Sequence, residues 1–505
     1  MKQYSGSFNK RSRLLKMPGL AGAPAGKLKS LQPDTLVDHL GKVLQVQNDF
    51  FPCFDWAFPP PLLNTHKPPE NVQELFSRPS VEPGKYSLYL HIPFCKTLCS
   101  FCYYTVLPGR GIEQSEQYMD YLIREMELYA PAVQGQWCES IYIGGGTPTY
   151  LDDALLIRLM EAIRKNFHCI EDAEISMEAA PGTLPRSKVR LLKQLGVNRL
   201  SYGIQTLDEK LLSTMNRHYR VDEAEHELQG ALEEIGNINI DTMYGFEGEP
   251  EHALRNTLER FNTLGVPSLS IYALDSQRSL SGKSLLGPPL DEQYERKIHL
   301  FAEAAEILGG NGYEQVLQNV FLIPGKASYR HQVRRWDNLT LIALGLASQG
   351  YAPSTPYQNV GAIKPYYNLL DAGKLPLATI DVLTPELEMV REVASRLRFT
   401  QVDMGAIQRK YGVDLDYVFG DLMRALVEIG HLERSGDELS LTGKAAYYNN
   451  IIPMLFAPDA FKEQLMTLPE EYLAEYPVPY VMTQAGCTQS AAINVRTPVS
   501  GAALA

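Results

Sequence analysis

From residue 85 onward the chain alternates short apolar, β-rich runs with longer amphipathic runs, and this alternation limits the folds open to it. Between the short runs lie helix-like stretches such as SEQYMDYLIREMELYA and DDALLIRLMEAIRKNF. Six β/α units in sequence imply parallel pairing, and a right-handed crossover at each step curls the sheet toward a barrel. The sequence therefore predicts an α/β fold, a partial (β/α)6 TIM-like barrel whose active-site residues lie at the C-terminal strand ends. The predicted strands are 86–92, 140–145, 173–179, 199–205, 238–244 and 268–274.

Four further segments are predicted around this barrel. Residues 1–33 are basic, with no acidic residue, which favours a solvated disordered tail over a basic partner-binding arm. The proline- and aromatic-rich stretch 34–84 predicts an ordered but irregular segment. We assign 85–360 to the barrel and its extension, 361–480 to a mostly helical C-terminal domain, and 481–505 to a mobile tail.

Charge and hydropathy narrow the range of partners. The formal net charge of -12 disfavours broad binding to nucleic acid or to an anionic membrane, because both require an electropositive face. No run of about 18 uncharged apolar residues occurs, and the N-terminus lacks an apolar signal core. We expect a cytoplasmic monomer that binds a small-molecule substrate.

Three of the seven cysteines lie within eight residues, in HIPFCKTLCSFCYYT, directly after the first predicted strand. Cys95, Cys99 and Cys102 could hold a [4Fe-4S] cluster and leave one iron free for an exogenous ligand. The alternative is a zinc site made of these cysteines and His91. Zinc loops usually present paired ligands from separated segments, and no second pair occurs here, so the spacing favours the cluster.

Polar residues and glycines follow the other predicted strands. Three consecutive glycines, 144–146, precede Thr147, and missing Cβ atoms allow a ligand to approach the backbone closely. Glu178, Gln205 and Asp241 lie at or near strand ends, and Arg217 follows shortly after the fourth strand. Each alone is more often solvated or capping. Together they offer the carboxylate, amide and guanidinium groups that ribose hydroxyls and a ligand carboxylate require.

Several motifs resemble those of one family. YLHIPFCKTLCSFC, YIGGGTPTYL, EISMEAAPGTL, RLSYGIQTLDEKLL, MNRH and NIDTMYGF are similar to the radical S-adenosylmethionine (SAM) enzymes of the oxygen-independent coproporphyrinogen III oxidase type. The match covers about residues 85–275, with a looser match to about 450.

The resemblance implies one [4Fe-4S] cluster, SAM (two molecules in several members) and a reducing partner such as flavodoxin or ferredoxin. In this family the free iron binds SAM, and its cleavage gives a 5'-deoxyadenosyl radical. Matched by position, the residues expected to contact SAM are Tyr89, Gly145, Gly146, Thr147, Glu178, Gln205, Arg217, Asp241 and Ala273.

Two departures from the family pattern bear on function. The porphyrinogen oxidase has another cysteine two residues beyond the third cluster cysteine, where this chain has Tyr104. Haem chaperones of the family carry a His-Asn-x-x-Tyr-Trp motif, whereas the corresponding run here is HQVRRW, beginning at His331. The departures argue against porphyrinogen decarboxylation and haem transfer, and the chain then looks like the class C radical SAM methylases and cyclopropanating enzymes.

The expected reaction is therefore transfer of a SAM-derived methyl or methylene carbon to an sp2 carbon of a natural product. It requires a proton acceptor or donor, for which Tyr103, Tyr104 and His331 are candidates, although the two tyrosines could equally pack over the cofactor. The arginines around His331 could bind a substrate carboxylate or form a surface turn. Two alternatives stay open: haem or porphyrin chemistry, by decarboxylation or ring opening, and a haem chaperone without catalysis.

Overall fold

The computed structural model describes residues 68–80, 82–102, 104–109, 111–246, 248–274, 290–399 and 401–442, together with Ile452 and Phe456. The predicted tails 1–33 and 481–505 lie outside the described residues, as do Tyr103 and the first part of the irregular segment 34–84.

Seventeen strands occur in the described residues. They are β1 (Lys85–Ile92), β2 (Phe94–Cys95), β3 (Leu107–Pro108), β4 (Trp137–Gly145), β5 (Cys169–Ala179), β6 (Arg199–Gln205), β7 (Ile238–Tyr244), β8 (Ser268–Ala273), β9 (Glu314–Leu317), β10 (Val320–Leu322), β11 (Leu341–Leu344), β12 (Gln349–Ala352), β13 (Thr355–Asn359), β14 (Leu377–Ile380), β15 (Gln401–Asp403), β16 (Leu432–Ser435) and β17 (Glu438–Leu441).

Thirteen α-helices connect or flank these strands in the described residues. They are α1 (Val72–Leu75), α2 (Ile112–Tyr129), α3 (Asp153–Asn166), α4 (Arg186–Gln194), α5 (Glu209–Thr214), α6 (Val221–Glu234), α7 (Ala253–Thr263), α8 (Leu290–Gly310), α9 (Arg330–Trp336), α10 (Ile363–Asp371), α11 (Pro385–Arg396), α12 (Met404–Tyr411) and α13 (Leu415–Glu428). No helix in this part of the chain is long and apolar enough to cross a membrane.

Twelve of the strands form one sheet, in the order β14-β13-β12-β11-β1-β4-β5-β6-β7-β8-β10-β9. The six predicted strands are β1 and β4 to β8, and each pairs in parallel with the next, which confirms the α/β barrel-type fold. β11 extends the parallel block beyond β1. The antiparallel flanking strands, β9–β10 and β12–β14, were not predicted.

The two faces of the parallel block differ in polarity because successive side chains of a strand point to opposite faces. One face carries fully buried apolar side chains such as Leu88, Ile141 and Leu200, in one core with helix residues such as Leu156. The opposite face is polar. It carries Ser87, Tyr89, His91, Ser140, Tyr142, Glu174, Ser176, Glu178, Arg199, Ser201, Asn239, Asp241, Ser268 and Ser270.

Local sequence signals explain where the crossover helices begin and end. In α3 the Asp152 side chain caps the N-terminus by accepting from the Leu155 N–H at 2.8 Å. Arg164 and Lys165 lie in its last turn, where the helix dipole favours positive charge. The helix thereby returns the chain to the N-terminal side of the sheet.

The described residues after 360 contain helices α10 to α13, as expected for a mostly helical C-terminal region, and one β-hairpin. The hairpin is β16–β17, and β15 adds to it as a third strand. The main sheet continues past residue 360, since β14 pairs with β13. The division of the chain into domains at 360 and 480 stays a prediction.

Candidate active site

The three-cysteine loop leaves β1 at Ile92 and turns over the C-terminal end of the sheet. Cys95 belongs to the short strand β2, which pairs in parallel with β3. The Leu107 N–H donates to the Pro93 carbonyl at 2.6 Å, and the Gly109 N–H to the Cys95 carbonyl at 3.0 Å. These bonds return the chain beside its own start and hold the loop as a compact lobe.

The segment after α5 clamps the other side of this loop. The N–H of Ser100 donates to the Met215 carbonyl at 3.0 Å, and its hydroxyl donates to the Thr214 carbonyl at 2.9 Å. The Asn216 side chain donates to the Leu98 carbonyl at 2.7 Å. The MNRH motif thus has a structural role: it fixes the backbone of the loop segment that carries Cys99 and Cys102.

The glycines at the end of β4 form the third support. The Gly146 N–H donates to the Ile92 carbonyl and the Thr147 N–H to the Phe94 carbonyl, both at 2.8 Å. A Cβ on Gly146 would lie 3.0 Å from the Cys95 Sγ, and one on Gly145, whose φ is +115°, would meet the His91 ring. Only glycine lets the two loops approach this closely.

Burial controls the ionisation of the cysteines. It raises the pKa of the Cys95 thiol to about 11 and that of Cys102 to about 12. Burial alone would lower the pKa of Arg217, but the adjacent Cys99 and Tyr219 together outweigh it and the net shift is upward. Because iron binds thiolates, cluster assembly must displace protons from the two buried thiols.

These donors fit an iron–sulfur cluster better than a single zinc ion. Both ring nitrogens of His91 are engaged, Nδ1 with the Tyr89 hydroxyl at 3.1 Å and Nε2 with the Thr105 carbonyl at 2.8 Å. Within the described residues, no three Cys, His, Asp or Glu side chains converge on a point that could hold one metal ion. A four-iron cluster is larger than one ion and holds its thiolates further apart.

Glu178 lies at the centre of the polar face. It accepts from the Gly145 N–H at 2.8 Å and from the Tyr142 hydroxyl at 2.9 Å. Burial raises its pKa to about 7. The Tyr142 ring stacks on Tyr89, with centroids 6.2 Å apart, and Tyr89 reaches His91. A continuous chain of side chains therefore joins the glycine loop, Glu178 and the start of the cluster loop.

The remaining residues expected to contact SAM come from β6, β7, β8 and the loop after α5. Gln205 ends β6 with φ +74°, a conformation that is uncommon for a non-glycine residue and is often found at functional sites. Arg217 donates to the Gly203 carbonyl beside it. Asp241 accepts from Ser201 and Asn239 on the same face. Ala273 is the last residue of β8 and is half-buried.

Of the nine predicted SAM residues, Tyr89, Glu178 and Asp241 lie on the polar face of the sheet and Gly146, Thr147 and Arg217 in loops beyond it. Gly145, Gln205 and Ala273 are the last residues of their strands, and Ala273 packs against the apolar core. SAM contact by each of them stays a prediction.

The three predicted proton-transfer residues are not brought together. Tyr103 lies outside the described residues, and Tyr104 is 37% exposed. His331 lies in α9, where its ring meets the Tyr142 ring at 5.3 Å and its Nδ1 contacts the Ser140 hydroxyl at 3.0 Å. Ser140 stands toward the N-terminal end of β4, so Tyr142 separates His331 from the cluster loop.

The neighbourhood of His331 is that of a buried structural group. Burial, with help from Arg335 and Arg199, lowers its pKa to about 3, so the ring is neutral. Two of the arginines considered for substrate binding are paired already, Arg330 with Asp172 at 2.8 Å and Arg334 with Glu82 at 2.7 Å.

Sequence reasoning did not identify the polar groups deep in this face. Arg199 is fully buried, lies over the Tyr329 ring at 4.0 Å and donates to the Ser328 carbonyl at 3.1 Å. Glu174 accepts the N–H groups of Arg330 and His331, at 2.7 and 3.1 Å, and so anchors the start of α9. One sequence signal could have found such groups. Side chains two residues apart in a strand share a face of the sheet, which places Tyr89 with His91 and Glu174 with Glu178.

Comparison with known proteins identifies the family. Residues 89–261 match the Radical SAM superfamily, and residues 383–448 match the HemN C-terminal domain. The haem chaperone HemW of Bacillus subtilis is 30% identical over 374 residues, which cover 72% of this chain and 97% of that protein. The chain belongs to the HemN/HemW family of radical SAM proteins. A [4Fe-4S] cluster and SAM are the cofactors that this family implies.

Two further relatives support the assignment. The oxygen-independent coproporphyrinogen III oxidase of Escherichia coli K12 is 28% identical over 394 residues, covering 73% of this radical SAM protein and 85% of the relative. The solved structure of E. coli coproporphyrinogen III oxidase (HemN) superposes with a TM-score of 0.66 at 25% identity, covering 76% of this chain and 92% of that one.

These relatives overturn one sequence-based expectation. Transfer of a methyl or methylene carbon to a natural product, as in the class C methylases and cyclopropanating enzymes, is wrong, because the relatives are haem chaperones and coproporphyrinogen oxidases. The error came from giving two local departures, at Tyr104 and in HQVRRW, more weight than the similarity of the whole chain.

Proposed function

We propose that this radical SAM protein acts on a tetrapyrrole, a haem or a porphyrin, and cleaves SAM at the C-terminal end of its sheet. The observation that carries the proposal is the similarity to HemW, which covers 97% of that relative. The relatives are named for haem or for coproporphyrinogen III. This chain carries the residues predicted to hold the cluster and SAM.

In this proposal Cys95, Cys99 and Cys102 would hold the cluster, which would supply the electron for SAM cleavage. The electron would come from a low-potential donor such as flavodoxin or ferredoxin. The expected count of two SAM molecules rests on the resemblance alone, and equilibrium dialysis of the reconstituted protein measures it. Two molecules per cluster agree with the expectation, and one contradicts it.

The protein's own groups would bind and orient SAM. Arg217 presents a guanidinium beside Cys99, suited to a carboxylate, and Glu178 presents a carboxylate, suited to hydroxyl or ammonium groups. Tyr89 and Tyr142 provide a stacked aromatic wall next to Glu178.

A matched pair of variants tests the role of Glu178. At a pH above 7, where Glu178 is ionised, we expect Glu178→Gln to weaken SAM binding roughly ten-fold or more, since a hydrogen bond to a charged group contributes about 1.5–3 kcal/mol. Glu227 is the control because it also accepts from a glycine N–H, that of Gly182 at 2.9 Å, and from a tyrosine hydroxyl, that of Tyr202 at 2.8 Å. Equal SAM affinity in Glu178→Gln and Glu227→Gln would exclude Glu178 from the SAM site.

A haem chaperone without catalysis is the second candidate, favoured by the name of the HemW relative. The burial of His331 counts against haem ligation by that residue as it stands, although its Nε2 has no hydrogen-bond partner among the described residues. A chaperone of this kind would need another iron ligand or a movement of α9.

One experiment separates the two candidates. The anaerobically reconstituted protein is given SAM and a reductant with haem, with coproporphyrinogen III, or with neither. An enzyme forms 5'-deoxyadenosine in a tetrapyrrole-dependent manner and changes the mass of the tetrapyrrole. Tight haem binding with no SAM cleavage supports the chaperone, and failure of both readouts overturns the assignment to tetrapyrroles.

A further inference from the structure

Two cysteines outside the cluster loop, Cys138 and Cys169, lie together at the N-terminal ends of β4 and β5. They appear scattered in the sequence, yet the parallel register of the two strands makes them direct partners. The cluster loop lies beyond the opposite, C-terminal ends of the strands. The pair is therefore separate from the radical SAM site and has no part in the chemistry proposed above.

The geometry suits a disulfide. Neighbouring strands are about 4.8 Å apart, which lies inside the range of roughly 4.4–6.8 Å between Cα atoms that disulfides span. The two thiols lie close enough for each to affect the ionisation of the other. Both cysteines are free thiols in this structure.

The two thiols differ in access and acidity. Cys138 is fully buried, with its Sγ 3.2 Å from the Ser140 carbonyl, and burial raises its pKa well above the ordinary value. Cys169 is half-buried. The neighbouring Cys138 thiol lowers the pKa of Cys169, and the nearby Arg164 adds to this effect. These differences suit Cys169 to act as an accessible nucleophile and Cys138 as a protected resolving thiol.

A cavity opens beside the pair. Its volume is about 390 Å³, and its lining includes Tyr86, Lys165 and His168. Tyr86 lies close enough to both cysteines for their charges to affect its ionisation, and His168 precedes Cys169 in the chain. Neither cysteine is among the residues that line this cavity, so access to Cys169 rests on its own partial exposure.

We propose that Cys138 and Cys169 form a dithiol site that exchanges with low-molecular-weight disulfides. The Cys169 thiolate attacks one sulfur of a disulfide RSSR, breaks the S–S bond and releases one RS⁻. Cys138 then loses its proton and attacks the Cys169 sulfur, which expels the second RS⁻. In sum, two protein thiols are oxidised to one disulfide and RSSR is reduced to two RSH.

The test uses the anaerobically reconstituted holoprotein, whose cluster occupies the other cysteines of the barrel. It is equilibrated with mixtures of reduced and oxidised glutathione, quenched with N-ethylmaleimide and digested with trypsin without reduction. Cys138 and Cys169 fall on separate tryptic peptides, 125–158 and 166–186, and each peptide contains no other cysteine. The cluster cysteines lie on peptides 86–96 and 97–110.

We expect peptides 125–158 and 166–186 to appear as a disulfide-linked pair. The amount of this pair should increase with the fraction of oxidised glutathione, and it should disappear on reduction. Cys138→Ser should retain one glutathione on Cys169 because no resolving thiol is present. Cys169→Ser should retain none on Cys138, and both variants should keep the wild-type cluster absorbance and SAM cleavage rate.

Maleimide labelling of both thiols at every glutathione ratio would overturn the proposal. Glutathione on Cys138 in Cys169→Ser, with none on Cys169 in Cys138→Ser, would reverse the assigned roles and contradict the mechanism.

Discussion

The packing of Gly146 against the cluster loop leads to a quantitative prediction for Gly146→Ala. The added Cβ would lie 2.6 Å from the Phe94 carbonyl oxygen and 2.8 Å from the Pro93 carbonyl carbon. Both are backbone atoms, so no side chain can rotate away. The loop must move by roughly 0.8 Å or more to restore ordinary van der Waals separation.

This movement acts on the bonds that place Cys95. The Gly146 N–H to Ile92 and Thr147 N–H to Phe94 bonds would lengthen, and overpacking typically costs about 1–3 kcal/mol. We expect Gly146→Ala to unfold several degrees lower and to retain less than half of the wild-type iron after reconstitution. Iron and sulfide per chain and thermal unfolding of the apoprotein measure the two effects.

Gly230 provides the matched control. It lies within α6, a Cβ added to it would meet no atom within 4 Å, and its φ is not in the left-handed region. Gly230→Ala should therefore raise stability by about 0.5–1 kcal/mol, as expected for a helix interior, and leave the iron content unchanged. Full iron content in Gly146→Ala would refute the argument that close packing of this glycine fixes the cluster loop.

Two further predictions concern buried carboxylates. Burial raises the pKa of Glu125 from its ordinary 4.5 to about 7, so the native state resists its ionisation. The free energy of unfolding should therefore fall by about 3 kcal/mol between pH 4.5 and 7. The Glu125→Gln variant should lack this pH-dependent loss. A stability difference between wild type and Glu125→Gln that is constant across this range would contradict the assigned pKa. Glu174→Ala should destabilise the protein by about 3–5 kcal/mol in chemical denaturation, because it frees the start of α9 and leaves the buried Arg199 with one carboxylate fewer nearby. A loss below 1 kcal/mol would show that Glu174 does not balance Arg199.

The parallel block of the fold could be predicted because each strand carries its own signal. Short β-rich runs separated by amphipathic helices gave all six strands within a few residues of their observed bounds. The flanking strands β9–β14 are only three to five residues long, and the two that join the parallel block, β10 at β8 and β11 at β1, pair with strands distant in the sequence. Hydrophobic periodicity and strand propensity carry little information over segments this short.

Some residues of the candidate site could likewise be predicted from the sequence, and others could not. The cysteines, glycines and strand-end residues were predictable because they follow their strands directly. His331 was proposed for proton transfer on its chemical type and its place in the HQVRRW run, whereas α9 holds its ring against Tyr142 and Ser140. The Cys138–Cys169 pair was not foreseen because it depends on the register between two strands that are joined through α3.

The central claim is that a tetrapyrrole is the partner in SAM cleavage, and the rate of 5'-deoxyadenosine formation tests it most directly. The reconstituted protein is assayed with SAM and reductant, with and without haem or coproporphyrinogen III, and the Cys99→Ala variant sets the background. We predict that one of the two tetrapyrroles raises the rate at least several-fold above the uncoupled rate of the same protein. A rate that neither tetrapyrrole changes, together with no binding of either one, would contradict the claim.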